Sequence, residues 1–134
     1  TGWGTDGANA ALDGFLELDG RMKSIVTAWQ LRDAEAQVIN DHTDAAYDRE
    51  VLERLAALHA DAVAWLVPLE TQAALLTGYH ARLDRAAEQA LAGDGRFVAS
   101  PRVDSYHGAW FELHEELIQL AGRTRADEVA AGRA

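Results

Sequence analysis

Apolar positions recur every three or four residues along nearly the whole chain, the period of helices with one buried face. From Gly7 to Arg32, the residues Ala8, Ala11, Leu12, Phe15, Leu18, Met22, Ile25, Val26 and Trp29 share one arc, and Asp6 stands in the N-cap position. A connecting stretch, Asp33 to Asp44, ends in the cap-rich run Asn40-Asp41-His42-Thr43-Asp44. A second helix is predicted from Ala45 through Val51, Leu55, Leu58, Ala62 and Trp65, with Pro68 ending or kinking it. Asp44, Asp48 and Glu50 suit the positive end of its dipole. A third helical region spans Leu69 to Ala92, with Leu76, His80, Leu83, Ala87 and Leu91 inward and Gly78 as a break. The turn Gly93-Asp94-Gly95 stops it. Ser100-Pro101 has the chemistry of an N-cap and first helical residue for a last long helix ending at Gly122. Thr124 to Asp127 has capping-box spacing for a short final helix. No alternating run predicts a strand. The expected fold is all-α: a single domain over residues 1–134, a bundle of four main helices plus a short C-terminal one.

The last long helix carries the most informative polar positions. At 100° per residue, Tyr106, Leu113 and Leu120 form one line, followed by Val103, Trp110 and Leu117. His107, His114 and Ala121 come next, then Asp104, Phe111 and Ile118. Both histidines therefore fall inside an apolar arc, where an imidazole needs hydrogen-bond partners. They lie two turns apart, about 10 Å along the axis, too far to share one metal ion. Asp104 and His107 have ligand-like spacing, but an acid in a first helical turn is the simpler account of Asp104. There is no Glu-x-x-His or His-Glu-x-x-His motif, so no metal is expected. The three serines, Ser24, Ser100 and Ser105, sit in no nucleophile elbow, and the turn Gly93-Asp94-Gly95 is acidic, unlike a phosphate-binding loop. No cofactor is expected. His59 and His80 read as boundary residues, and Trp3 as cover for one end of the bundle. Asp19 lies within the first apolar arc. It is expected to pair with Lys23 at i,i+4, or, in a sharper reading, to orient a histidine.

Charge and composition narrow the partners. The net charge is −10, a surface that repels phosphate backbones and speaks against direct nucleic-acid binding. No apolar run is long enough for a membrane span, and no signal-peptide pattern is present. The lack of cysteine removes disulfide and thiolate chemistry and predicts a cytoplasmic location. Lys23 is the only lysine, a bias expected of a GC-rich genome. The chain opens on Thr1 without Met, as expected of a trimmed or excised sequence.

Three segments carry a family resemblance: Thr27-Ala28-Trp29-Gln30-Leu31-Arg32, Asn40-Asp41-His42-Thr43-Asp44-Ala45-Ala46-Tyr47-Asp48 and Ser105-Tyr106-His107-Gly108-Ala109-Trp110-Phe111-Glu112-Leu113-His114-Glu115-Glu116-Leu117. Together they resemble a helical domain that follows a winged helix in MarR-like transcriptional regulators of high-GC bacteria. A similar domain is associated with phosphoenolpyruvate-utilising proteins. The likeness runs from about Phe15 to Leu120 and implies a regulatory or ligand-sensing role. This chain departs from the pattern in having no winged helix and an insertion-like Ala34 to Val38.

The leading expectation is a small-molecule-binding or regulatory module with an interior site lined by His, Trp and Tyr. The ligand would be a partly aromatic or acidic metabolite held between the first, second and last long helices. Candidate residues are Asp19, Trp29, Arg32, Asn40, His42, Asp44, Tyr47, Tyr106, His107, Trp110 and His114. Arg32 would pair an anionic group, and Tyr106, His107 and His114 would supply directional hydrogen bonds. The alternative is a cofactor-independent acid–base enzyme of isomerase, cyclase or lyase type using His107 or His114. A third reading is an interaction domain forming a homodimer.

Overall fold

The computed structural model describes residues 5–122, with side chains from Gly7 onward. It is all-α in its main architecture. Helix α1 spans Thr5–Gln30, α2 Ala45–Glu70, α3 Tyr79–Leu91 and α5 Tyr106–Leu120, with a short α4 at Arg96–Ala99. Around the bundle, α1 packs on α2 and α5, and α3 closes the ring by packing on the same two. The four main helices and one short helix match the predicted count. The short helix lies between α3 and α5; the final helix predicted at Thr124 to Asp127 lies outside the described residues, as do Trp3 and the Asp6 side chain.

The apolar stripes meet in one core. Leu12, Phe15, Met22 and Ile25 of α1 face Leu55, Leu58 and Leu66 of α2, Leu83 of α3, and Tyr106, Trp110, Leu113 and Leu117 of α5. Asp44 caps α2 by accepting from the Tyr47 N–H at 3.1 Å. The Glu70 carboxylate accepts from the His80 N–H at 2.8 Å, placing an acid at the start of α3. Gly78, at φ 100°, makes the predicted break.

Four boundaries differ from the pattern. First, α1 ends at Gln30, and Leu31–Asp33 pairs antiparallel with Val38–Ile39 in a two-stranded hairpin where no strand was expected. Asp33 Oδ1 accepts from the Ala36 N–H, and Gln37 takes a left-handed turn at φ 56°. Such short strands carry no room for an alternating signal. Second, α2 continues past Pro68 to Glu70. Third, a 3₁₀ turn, Ala74–Leu76, separates α2 from α3 where one helical region was predicted. Fourth, α5 starts at Tyr106, not at Pro101. Ser105 is its N-cap, accepting from the Gly108 N–H at 3.1 Å, while Ser100 caps the C-terminus of α4. Ser100-Pro101 has the right chemistry for a helix start, but Ser105 is buried and its hydroxyl takes an N–H that would otherwise lack an acceptor.

Among the described residues, no helix is long and apolar enough to cross a membrane.

Candidate functional site

The hairpin and the start of α2 bring three polar residues against the end of α1. Asn40 is buried, and its backbone N–H and both ends of its side-chain amide are hydrogen-bonded. Its backbone N–H donates to Gln30 O at 2.9 Å. Its Nδ2 donates to Trp29 O and to Asp48 Oδ1, both at 2.9 Å, and its Oδ1 accepts from the His42 N–H at 3.1 Å. That last bond holds His42 at φ 62°, a left-handed conformation uncommon for a residue with a Cβ. The imidazole then reaches Asp48, with Nδ1 2.9 Å from Oδ2.

The tautomer follows from counting hydrogens. Asn40 Nδ2 also lies 3.3 Å from His42 Nδ1, but its two hydrogens are directed at Trp29 O and Asp48 Oδ1. Asp48 accepts only, so Nδ1 carries the hydrogen and Nε2 is left to face other chemistry. The ring rests against the indole of Trp29, with centroids 4.5 Å apart and planes tilted by 42°. Behind that indole lies Gly95; a Cβ there would stand 2.8 Å from Trp29 Cζ2.

These groups line a cleft of about 560 Å³ formed by Trp29, His42, Asp48, Leu52, Ala90, Gly93, Gly95 and Arg96. That volume is in the range of small-molecule sites. Arg96 is held side-on by Asp94, with Nε 2.9 Å from Oδ1 and Nη2 2.7 Å from Oδ2. These bonds hold the Asp94 carboxyl below the usual range and raise the Arg96 guanidinium. A second hollow, of about 360 Å³, shares His42, Asp48 and Leu52 and extends past Arg49 to Leu91.

The structure divides the predicted site residues among several places. Trp29, Asn40 and His42 build the cleft just described. Asp19, His107, Trp110 and His114 surround a separate hollow of about 290 Å³, together with Met22, Lys23 and Phe111. There Asp19 pairs with Lys23 at 3.2 Å, as expected, and also accepts from the Trp110 indole at 2.9 Å. Of the two histidines expected inside the apolar arc, His114 is buried and stacked on Phe15, with centroids 4.7 Å apart. His107 shares its line on the helix but lies in the first turn of α5, and it is exposed, contrary to the expectation.

Arg32, Asp44 and Tyr47 form a third group. Arg32 donates to Asp44 at 3.0 Å and lies over the Tyr47 ring at 4.9 Å. The Tyr47 hydroxyl donates to Ala28 O at 2.7 Å. These contacts join the α1 and α2 ends and commit Arg32 to an internal partner. Tyr106 lies in the core, away from the clefts. Its hydroxyl and His59 Nδ1 are 2.9 Å apart, and His59 Nε2 donates to Asp84 Oδ1 at 2.6 Å. His80 reaches the other Asp84 oxygen at 3.1 Å. The boundary histidines His59 and His80 thus belong to a network that joins α2, α3 and α5. Burial, helped by the Asp84 charge, pushes the Tyr106 phenol far above its ordinary range.

Asp104, expected in a first helical turn, instead precedes α5 and accepts both Arg82 Nε and Nη2, at 3.1 and 2.7 Å. Among the described residues, no group of three or more metal-ligating side chains is placed to hold an ion.

Sequence reasoning did not select Asp48, Gly95 or Arg96. Asp48 was accounted for by the helix dipole. Arg96 follows an acidic glycine turn that reads only as a stop. The available signal was the density of Asn, Asp and His from Asn40 to Asp48. No protein-family model, curated protein or solved structure matches this chain.

Proposed function

We propose that this chain is a small-molecule-binding helical module whose site is the cleft between Trp29, His42 and Arg96. One observation carries the reading. A histidine is kept in an unfavourable backbone conformation by a buried asparagine whose side-chain amide is engaged at both ends, and the result is an imidazole fixed on an indole in the wall of a ligand-sized cleft. Backbone strain of this kind collects at functional sites. A regulatory, ligand-sensing role in the cytoplasm is consistent with this reading, with the cysteine-free composition and with the resemblance to regulator domains. The net charge supports small molecules over nucleic acid as the partner.

A thermal-shift screen of small metabolites, followed by NMR of the indole and imidazole resonances, tests the proposal. A true ligand raises the melting temperature and perturbs Trp29 and His42, and His42→Ala abolishes both effects. If every stabilising compound leaves Trp29 and His42 unperturbed, the site is elsewhere and the reading fails.

The His42–Asp48 pair favours a second reading, acid–base catalysis. A carboxylate that orients Nδ1–H leaves Nε2 to move a proton. In this reading the base is His42, and His107 and His114 are set aside. Turnover lost in both His42→Ala and Asp48→Asn, with binding retained in the latter, would distinguish it from binding alone.

A further inference from the structure

The chemistry of the cleft narrows its ligand; the argument rests on the ligand-site reading above. Two acids stand at or beside the cleft, and both have their oxygens engaged. Asp48 accepts from Asn40 on Oδ1 and from His42 on Oδ2. Asp94 accepts from Arg96 on both oxygens. Arg96 uses only its Nε–Nη2 edge for Asp94, and Nη1 has no protein partner among the described residues. The side-chain nitrogens in the cleft wall that these pairings leave to a ligand are Arg96 Nη1 and His42 Nε2. The remaining walls are the Trp29 indole, Leu52, Ala90 and two glycines. Asp94 also fixes the guanidinium before any ligand arrives, which reduces the side-chain entropy lost on binding.

We propose that the cleft takes a small carboxylate carried on a flat apolar body, the acid on Arg96 Nη1 and the body among Trp29, Leu52 and Ala90, beside His42. In sequence terms the anion-pairing role expected of Arg32 moves to Arg96, because Arg96 lines this cleft and Arg32 lies at a different hollow.

The test uses three probes that share one ring and differ in charge: benzoate, benzyl alcohol and benzylamine. Binding is read from the Trp29 indole resonance, assigned with Trp29→Phe. Benzoate is expected to bind about tenfold more tightly than benzylamine, and to weaken as salt rises. Arg96→Gln should bring benzoate to within about twofold of benzyl alcohol, while Arg102→Gln, at an exposed arginine outside the cleft, changes nothing. Arg96→Lys, which keeps the charge and loses the fork, should retain part of the preference and guards against a folding defect in the glutamine variant.

Benzylamine binding as tightly as benzoate, or benzoate undiminished in Arg96→Gln, overturns the proposal. If none of the three binds but another compound still perturbs Trp29 and His42, the acid class is wrong and the ligand site stands. If nothing perturbs those residues, both fall.

Discussion

The indole of Trp110 donates to Asp19 Oδ1 at 2.9 Å, tying α5 to α1 across 91 positions of sequence. Asp19 is 6% exposed, so the bond is made away from water. Asp19→Ala leaves a buried indole N–H without its acceptor and should cost about 2–3 kcal/mol in urea unfolding. Asp19→Asn keeps an acceptor oxygen and should cost less than half as much. Lys23→Met removes only the exposed partner and should cost no more than about 0.5 kcal/mol. An equal loss in the lysine variant would mean that the ion pair, not the indole bond, is what matters.

Tyr106 gives a test at high pH. Its phenol is raised by burial and by Asp84, and that of Tyr79 by burial and by Glu116 and Glu112. The unfolded chain ionises near the ordinary value of 10.0, whereas the folded chain holds the protons. The contribution to stability is therefore complete below pH 10 and falls as pH rises through the folded values, by about 1.4 kcal/mol per pH unit for each group. Urea midpoints between pH 8 and 11 should show the decline. Tyr106→Phe should cost about 1–2 kcal/mol at neutral pH, since His59 Nδ1 loses its partner, and should make the decline shallower.

Arg82 gives a test on the acid side. Its hydrogen bonds hold Asp104 and Glu112 below their ordinary values of 3.8 and 4.5. Depressed carboxyls stabilise the fold above those values and lose that contribution as pH falls through the folded ones. All three side chains are partly exposed, at 31, 42 and 56%, so solvent screening keeps the effect small. Arg82→Gln should cost about 1 kcal/mol near pH 7 and flatten the stability profile below about pH 4.5. An unchanged acid limb would show that other carboxyls set it.

How much of this is legible in the sequence depends on how local the cause is. Phe15, Leu55 and Leu113 declare their burial through helical period alone. His107 and His114 have the same period and different fates: with α5 starting at Tyr106, His107 falls in its first turn and is exposed, whereas His114 lies two turns further along and is buried. The indole bond of Asp19 and the His59–Tyr106 contact depend on which helices become neighbours. Ser105 outcompetes the better-looking Ser100-Pro101 start because its surroundings are buried. In the cleft, Asn40 and His42 were legible as an unusual cluster. Arg96 was not, since nothing near it in sequence predicts that the α3–α4 turn meets the end of α1.

Gly95→Ala tests how closely the Trp29 wall is packed. Gly95 has φ −61° and ψ −17°, values that alanine adopts without strain. Backbone entropy alone would make the substitution stabilising by about 0.4–1 kcal/mol. The new Cβ would meet Trp29 Cζ2 at 2.8 Å, however, and that indole is buried with His42 against it. Overpacking should win, giving a net loss of about 1–2 kcal/mol with a shifted Trp29 resonance and weaker binding in the cleft. A more stable variant with an unmoved indole would show that the wall yields freely.

His42→Gly separates a histidine kept for its site from one kept for the fold. At φ 62° any residue with a Cβ pays about 1 kcal/mol in backbone strain, which glycine avoids. Glycine also gives up the Asp48 bond, on a side chain 44% exposed and so worth at most about 1 kcal/mol. The contact with Trp29 adds about 0.5–1 kcal/mol to the loss. Relief and loss nearly balance, so His42→Gly should stay within about 1 kcal/mol of the parent in urea unfolding. His42→Ala loses the same contacts and keeps the strain, and should be less stable than the glycine variant by about 1 kcal/mol. Both should lose ligand binding in the cleft. A glycine variant destabilised as much as the alanine one would mean that the left-handed turn carries no strain at this position. The strain could then no longer be read as the mark of a residue held in place for binding.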